Sequence, residues 1–205
     1  MTTITLHTPY LLFVGSETEP IYAKTAAGLA QWAPEKCMGQ LGLPGGTIDL
    51  GLPKHDIASA VASGAKSLVI GTSAVGGAIP NQWMPTLVEA LQAGMDIVAG
   101  VHTKLNDIPE LVTAAKESGS NLVDVRVPPK DIPVGTGRKR TGKRLMTVGT
   151  DCALGKKYTA LAIANRLTER GVDADFRASG QTGIMIAGNG IPIDAVVADF
   201  LSGAA

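Results

Sequence analysis

Three features of the sequence predict an α/β protein whose first part is a parallel, doubly wound sheet with helices on both faces. Short apolar runs alternate with amphipathic stretches of about a dozen residues, the pattern of strand–helix–strand units. The chain holds 25 glycines and few aromatic residues, which suits many strand-to-helix turns better than a β-sandwich. Late in the chain, residues 145–162 read LMTVGTDCALGKKYTALA: apolar run, glycine turn, lysine, helix.

Residues 10–14, YLLFV, are the first expected strand and end at Gly15-Ser16. Residues 21–32 have helical spacing and stop near Pro34. Residues 37–53 are rich in Gly, Leu and Pro without clear period and are expected as a loop or irregular strand. A second helix is expected over 56–64. The strand SLVIG, 67–71, then leads into TSAVGGAIP, 72–80. A helix at 82–93, a strand at 96–99, a turn at 100–104, a helix at 108–118 and a strand at 121–127 complete this part.

In such sheets ligands sit beyond the carboxyl ends of the strands. That nominates Gly15-Ser16, residues 72–77 and residues 101–104. Gly71, Gly76 and Gly77 lack the G-x-G-x-x-G spacing of a dinucleotide loop. His102 follows a strand end and is a candidate acid–base group or anion contact; an ordinary loop histidine is the alternative. His7 and His55 read as surface residues. No Cys/His spacing resembles a zinc site, so no metal is expected.

Domain organisation follows from the breaks. Residues 1–132 form the first domain, 133–144 a basic linker and 145–205 a second domain. Pro128, Pro129 and Pro133 interrupt regular structure before the basic run GTGRKRTGKR. That run reads as a solvated linker; the functional alternative is that Arg138, Lys139, Arg140, Lys143 or Arg144 reaches phosphates held nearby.

Residues 145–148 are expected as a buried parallel strand, 149–155 as a small-residue turn and 156–167 as a helix. The first amides of a helix lack intrahelical partners and point at an anion, and Lys156 adds a full charge. The match to a P-loop is imperfect: Thr150 replaces the first glycine, and Lys157 stands where a Mg²⁺-binding hydroxyl belongs. Thr159 carries a hydroxyl on a different side of the helix. The candidate phosphate-binding residues are Gly149, Thr150, Cys152, Gly155, Lys156, Lys157 and Thr159, which make an anion site more than a Mg²⁺-dependent hydrolase.

Further on, 175–178 (DFRA) is an expected strand and 179–183 (SGQTG) a second glycine turn. There Gly180, Gln181 and Thr182 offer amides and hydroxyls. Residues 193–202 are an expected helix on which Asp194 and Asp199 lie on different faces. A P-loop domain needs more strands and a later acidic residue for Mg²⁺, so 145–205 is expected to be its first part only, completed by further sequence or another chain.

Bulk properties exclude several classes. Acidic and basic residues balance at 18 each, so neither nucleic acid nor an acidic membrane is an expected partner. No apolar run of membrane-spanning length occurs, and the N-terminus has no export-signal pattern. Two cysteines make a disulfide scaffold unexpected and point to a reducing cytoplasm.

The segments YLLFVG, AKTAAGL, CMGQLGLPG, LVIG, DIVAGVHTKLNDIP, the stretch 133–162 and the stretch 173–205 together resemble a family. It was long described as a domain of unknown function with a P-loop and is associated with D-glutamate N-acetyltransferase. The resemblance spans nearly the whole chain and implies a Rossmann-like N-terminal domain followed by a P-loop domain in which Lys157 is usual. The GTDCALGK loop is also similar to the GTDxxxGK loop of dethiobiotin synthetases, which implies ATP and Mg²⁺ as the alternative cofactors.

The family resemblance implies acetyl transfer from acetyl-CoA to the amine of D-glutamate. The CoA phosphates would sit at Gly155, Lys156 and the helix N-terminus. The substrate carboxylates would meet Arg177 or the 138–144 cluster. Asp151 or His102 would be the base, and amides of 149–155 or 180–183 would hold the oxyanion. Cys152 could carry the acetyl group or be a small filler. A homo-oligomer is expected.

Overall fold

The computed structural model describes residues 6–73, 77–139, 141–151 and 154–204. Expectations that fall on residues 74–76, Arg140, Cys152 and Ala153 lie outside the described residues. The chain divides into two compact units, Ile4–Val127 and Pro128–Ala205.

The first unit is built on β1 (Tyr10–Gly15), β2 (Cys37–Gly42), β3 (Ser67–Ile70), β4 (Asp96–Ala99) and β5 (Leu122–Asp124). They pair in the order β2-β1-β3-β4-β5, and every pairing is parallel. The chain reverses direction across the sheet between β1 and β3, where open α/β sheets bind ligands. Parallel strands are covered on both faces, which is why YLLFV is apolar throughout rather than alternating; none of its residues is more than 2% exposed.

Leu11, Phe13, Leu68, Ile70, Ile97 and Ala99 share one core cluster with α2 (Ile57–Ala62), α3 (Met84–Gln92) and α4 (Pro109–Ser118). The residues of opposite parity, Leu12, Val14, Val69 and Val98, are equally buried but lie outside that cluster. So do the buried residues of α1 (Lys24–Trp32), which contacts β1. The two parities of each strand therefore serve two layers.

Residues 37–42 form a full edge strand, where the sequence suggested only a loop or irregular strand. Their missing period has a cause. One edge of β2 pairs with β1, and the following loop folds back along the other. Gln40 N–H donates to Pro53 O at 2.8 Å, and His55 N–H donates to Gln40 O at 3.0 Å. The buried Gln40 side chain accepts from Leu50 N–H at 2.6 Å. The covered edge is protected against pairing with other chains.

The second unit contains α5 (Lys156–Glu169), α6 (Gln181–Ala187) and α7 (Leu201–Ala204). Three expectations are corrected here. Residues 145–148 are extended but form no strand, and Leu145, Met146 and Val148 are 69%, 75% and 80% exposed. A strand exists only through a hydrogen-bonded neighbour, and among the described residues none pairs with this segment.

Residues 175–178 are likewise no strand: a single bridge joins Ala178 to Gly190. Residues 193–202 are not one helix but two 3-10 turns, Ile193–Ala195 and Ala198–Phe200, running into α7. Pro192 opens the first turn, and the extended backbone at Val196 and Val197 separates it from the second. Asp194 and Asp199 thus sit on different turns.

The expected linker is packed at its start. A Cβ on Gly203 would lie 1.5 Å from Pro133 O, and one on Gly135 would lie 2.4 Å from Ser202 Oγ. Arg138, Lys139, Lys143 and Arg144 are exposed, as a solvated linker requires.

Candidate functional site

In the second unit Lys156 opens α5, and Gly149 and Asp151 lie beside its side chain. Gly155 stands at the N-cap of α5 with φ +89°, a left-handed conformation that glycine adopts without a Cβ penalty. The helical ladder begins with Thr159 N–H donating to Gly155 O at 2.9 Å. The amides of Lys156, Lys157 and Tyr158 therefore precede its first rung.

The Lys156 side chain turns back along the loop, and its ammonium donates to the Asp151 carbonyl. A Cβ on Gly149 would lie 3.2 Å from Lys156 Cδ and 3.3 Å from Leu154 Cδ1. Small size at 149 is what lets this side chain lie against it. The Thr147 hydroxyl donates to Lys156 O at 2.9 Å and ties the incoming segment to the first helical turn.

Helix start, left-handed glycine and half-exposed lysine make a place where a phosphate could displace the lysine's carbonyl contact. A charge-assisted contact to phosphate is the stronger of the two. Among the described residues, the contact shown for the Lys156 ammonium is the carbonyl of Asp151, five positions earlier in the chain.

Other expected site residues of this unit are distributed around that loop. The Lys157 ammonium lies 4.3 Å from the centre of the Tyr158 ring. Its Cδ lies 3.6 Å from where a Gly183 Cβ would be, so it runs toward α6. Burial raises the Tyr158 hydroxyl above its usual range. Thr150, Asp151 and Thr159 are exposed.

Arg177 pairs with Asp175 at 2.5 Å, both side chains more than half exposed. The expected turn at 179–183 gives way at Gln181, where α6 begins behind the extended N-cap Gly180. Thr182 is 8% exposed and so belongs to the packed side of α6. Thr147 was not foreseen as part of the site. Its signal is a hydroxyl residue inside an otherwise apolar run directly before the glycine turn.

In the first unit the carboxyl ends of β1, β3 and β4 form the mouth of the sheet. Gly15 has φ +56°, and a Cβ there would lie 2.8 Å from Trp83 Nε1. Trp83 meets Phe13 edge-on at 5.3 Å. Gln82 Nε2 donates to Ser16 Oγ at 3.0 Å.

The start of α1 is closed by the chain itself. Ala26 N–H donates to Gly71 O at 2.9 Å, and Ser73 N–H donates to Tyr22 O at 3.0 Å. A dinucleotide phosphate normally uses helix-start amides, and one of them, that of Ala26, is already taken by Gly71 O. His102 is exposed at the end of β4. Its N–H donates to Gly77 O at 3.2 Å, and a Cβ on Gly77 would lie 2.5 Å from its Cδ2. His102 and Asp151 belong to different units.

His55 packs on Gly39, as a 2.5 Å approach of its Cδ2 to that residue's Cβ position requires. His7 donates or accepts at Asp96 Oδ2 over 2.7 Å, so it is exposed yet engaged. Among the described residues, no group of three or more His, Cys, Asp or Glu side chains is placed to hold a metal ion. No helix among them is long and apolar enough to cross a membrane.

Comparison with known proteins agrees with this architecture. The domain of unknown function DUF1611, Rossmann-like domain, matches residues 44–128, and its P-loop domain matches residues 133–205. A protein of Tritonibacter scottomollicae named D-glutamate N-acetyltransferase is 48% identical over 97% of this chain and 60% of its own length. A protein of the same name from Pseudoalteromonas is 46% identical over 96% of this chain and 59% of its own length.

The crystal structure of a DUF1611 family protein from Anabaena variabilis superposes with a TM-score of 0.82 at 32% identity. It is covered over 60% of its length by 96% of this chain. The chain thus spans about 60% of the length of the relatives it matches. With a Rossmann-like sheet followed by a P-loop domain in the same order, the chain belongs to the DUF1611 family.

Proposed function

We propose that the chain serves an N-acetyltransferase reaction that moves the acetyl group of acetyl-CoA to the amine of D-glutamate. What carries the reaction is the name of two relatives at 48% and 46% identity along nearly all of this chain. The start of α5 with Lys156 supports a place for the CoA phosphates.

In this reading the amides ahead of the first α5 rung and the Lys156 ammonium take the phosphates, with no hydrolysis and no metal called for. The amine of D-glutamate attacks the thioester carbonyl carbon, the C–N bond forms, and the C–S bond breaks to release the CoA thiol. The amine's proton passes to a base, for which His102 and Asp151 are the candidates.

Arg177 is the candidate partner for a substrate carboxylate. Its present contact with Asp175 is an exposed ion pair of the kind worth about 0–1 kcal/mol, so a substrate carboxylate competes with it at little cost.

The test is thiol release from acetyl-CoA by the chain with D-glutamate, L-glutamate and other amino acids, with no nucleotide present. The expected result is release with D-glutamate above the rate without acceptor. No release with any amino acid would overturn the reading. Release that required ATP would favour a ligase of the dethiobiotin synthetase kind, which the GTDCALGK loop also resembles.

A further inference from the structure

We propose that Asp124 is a positioning residue for His102, holding the loop after β4 so that the exposed imidazole keeps its place against Gly77. The catalytic use of that imidazole rests on the reading given above.

Surface loops ordinarily carry few fixed contacts, but this one is held along its length. On one side Gly77 O accepts both His102 N–H and Thr103 N–H, each at 3.2 Å. Gly77 itself has φ +71°, and the imidazole edge lies where its Cβ would be. On the other side the Asp124 carboxylate gathers three N–H donors: Leu105 N–H at 2.8 Å, Asn106 N–H at 3.3 Å and Asn106 Nδ2 at 2.8 Å. Asn106 Nδ2 also reaches Leu122 O at 3.2 Å.

Leu105, three residues past His102, is fully buried, and Val125 N–H donates to Ala99 O at 3.0 Å where the loop leaves β4. The Asp124 carboxylate therefore fixes the exit of the loop, while the neighbouring Val125 amide fixes the end of β4. A short core loop needs only the buried Leu105 to close. The contacts to Gly77 at one end and to Asp124 at the other restrain the backbone that carries His102.

The test uses Asp124→Ala and Asp124→Asn, with His102→Gln to assign the His102 ring signals by NMR. The readouts are the nuclear Overhauser contact from the His102 ring to the Gly77 Hα, the melting temperature, and kcat and KM for D-glutamate. In D124A the ring contact is expected to vanish and kcat to fall about tenfold, with KM changed much less. In D124N, which keeps one acceptor oxygen, the contact is expected to weaken without disappearing. The double variant D124A/H102Q is expected to be no slower than H102Q.

If the ring contact and kcat persist in both Asp124 variants while only the melting temperature falls, Asp124 is structural and the proposal is overturned. Should D124A fail to fold, D124N decides on the same ring contact. If H102Q keeps the parent kcat, the acid–base reading of His102 falls, while the ring contact still decides whether Asp124 orients it.

Discussion

Lys156 illustrates how one side chain's environment sets an expectation for binding. Its ammonium donates to the Asp151 carbonyl, a neutral acceptor that a charged phosphate would outcompete. Lys156→Ala is expected to weaken CoA binding about tenfold, or about 1.4 kcal/mol, in a calorimetric titration; an unchanged affinity would place the phosphates elsewhere. A steric case is Gly71, where a Cβ would lie 2.4 Å from Ala26 Cβ and 3.0 Å from Ala26 Cα. The neighbour is helix backbone and cannot give way. Gly71→Ala is therefore expected to cost about 2–3 kcal/mol in urea unfolding with an unchanged slope. Cys37 is a chemical case: burial first, then Glu35, pushes its thiol up to about 12. In a Cys152→Ser background it is expected to resist a thiol reagent at mildly alkaline pH until the chain is unfolded. Because the fold favours the neutral thiol, its contribution to stability is full below the ordinary thiol range and is lost as pH rises toward that value.

At the scale of elements, caps and close packing decide where the regular structure begins and ends. Asp56 caps α2 by accepting from Ser59 N–H at 2.7 Å and from the Ser59 hydroxyl at 2.6 Å. The Ser59 hydroxyl, then its amide, holds this carboxylate below its usual range. A depressed carboxylate stabilises the fold above its ordinary pKa, and that contribution disappears as pH falls through the depressed value. The difference in melting temperature between the parent and Asp56→Ala is thus expected to be largest at neutral pH and to shrink in acid; a constant gap would contradict the assignment. In the second unit Gly203 meets Pro133 O, with a Cβ position only 1.5 Å away. Gly203→Ala is expected to release α7 from the 133–135 segment, read as faster amide exchange in both. What the sequence made legible at this scale was local. Strands β1, β3 and β4 declared themselves because burial on both faces makes a short run wholly apolar. Helix α2 was expected over 56–64, and the Asp56–Ser59 capping box that starts it became evident in the structure. β2 was obscured because its partner on one side is a loop some dozen residues onward. The strands expected at 145–148 and 175–178 failed for the complementary reason: apolar or mixed character suggests an extended chain, but only a paired neighbour makes a strand. Asp124 gave a faint signal, a carboxylate closing the run NLVD, whose meaning depends on Asn106 arriving beside it.

At the scale of the whole chain, the formal charges balance, which argues against a broad anion-binding surface, and the start of α5 is the anion site we propose. The helix-start lysine and the left-handed glycine before it were legible in the sequence, because a glycine–lysine pair opening a helix is a local pattern; the strand expected to lead into them was not formed. The approach of the Lys156 side chain to Gly149 and to the Asp151 carbonyl was not, since it depends on a rotamer that folds back along the chain. The central claim is that this site holds the phosphates of the acetyl carrier. The most direct measurement compares binding of CoA with binding of pantetheine, which has the thiol arm and no phosphate, to the parent and to Lys156→Ala. The account predicts that the parent binds CoA far more tightly than pantetheine and that Lys156→Ala removes most of the difference. Equal affinity for the two ligands, or a preference for CoA untouched by Lys156→Ala, would contradict it.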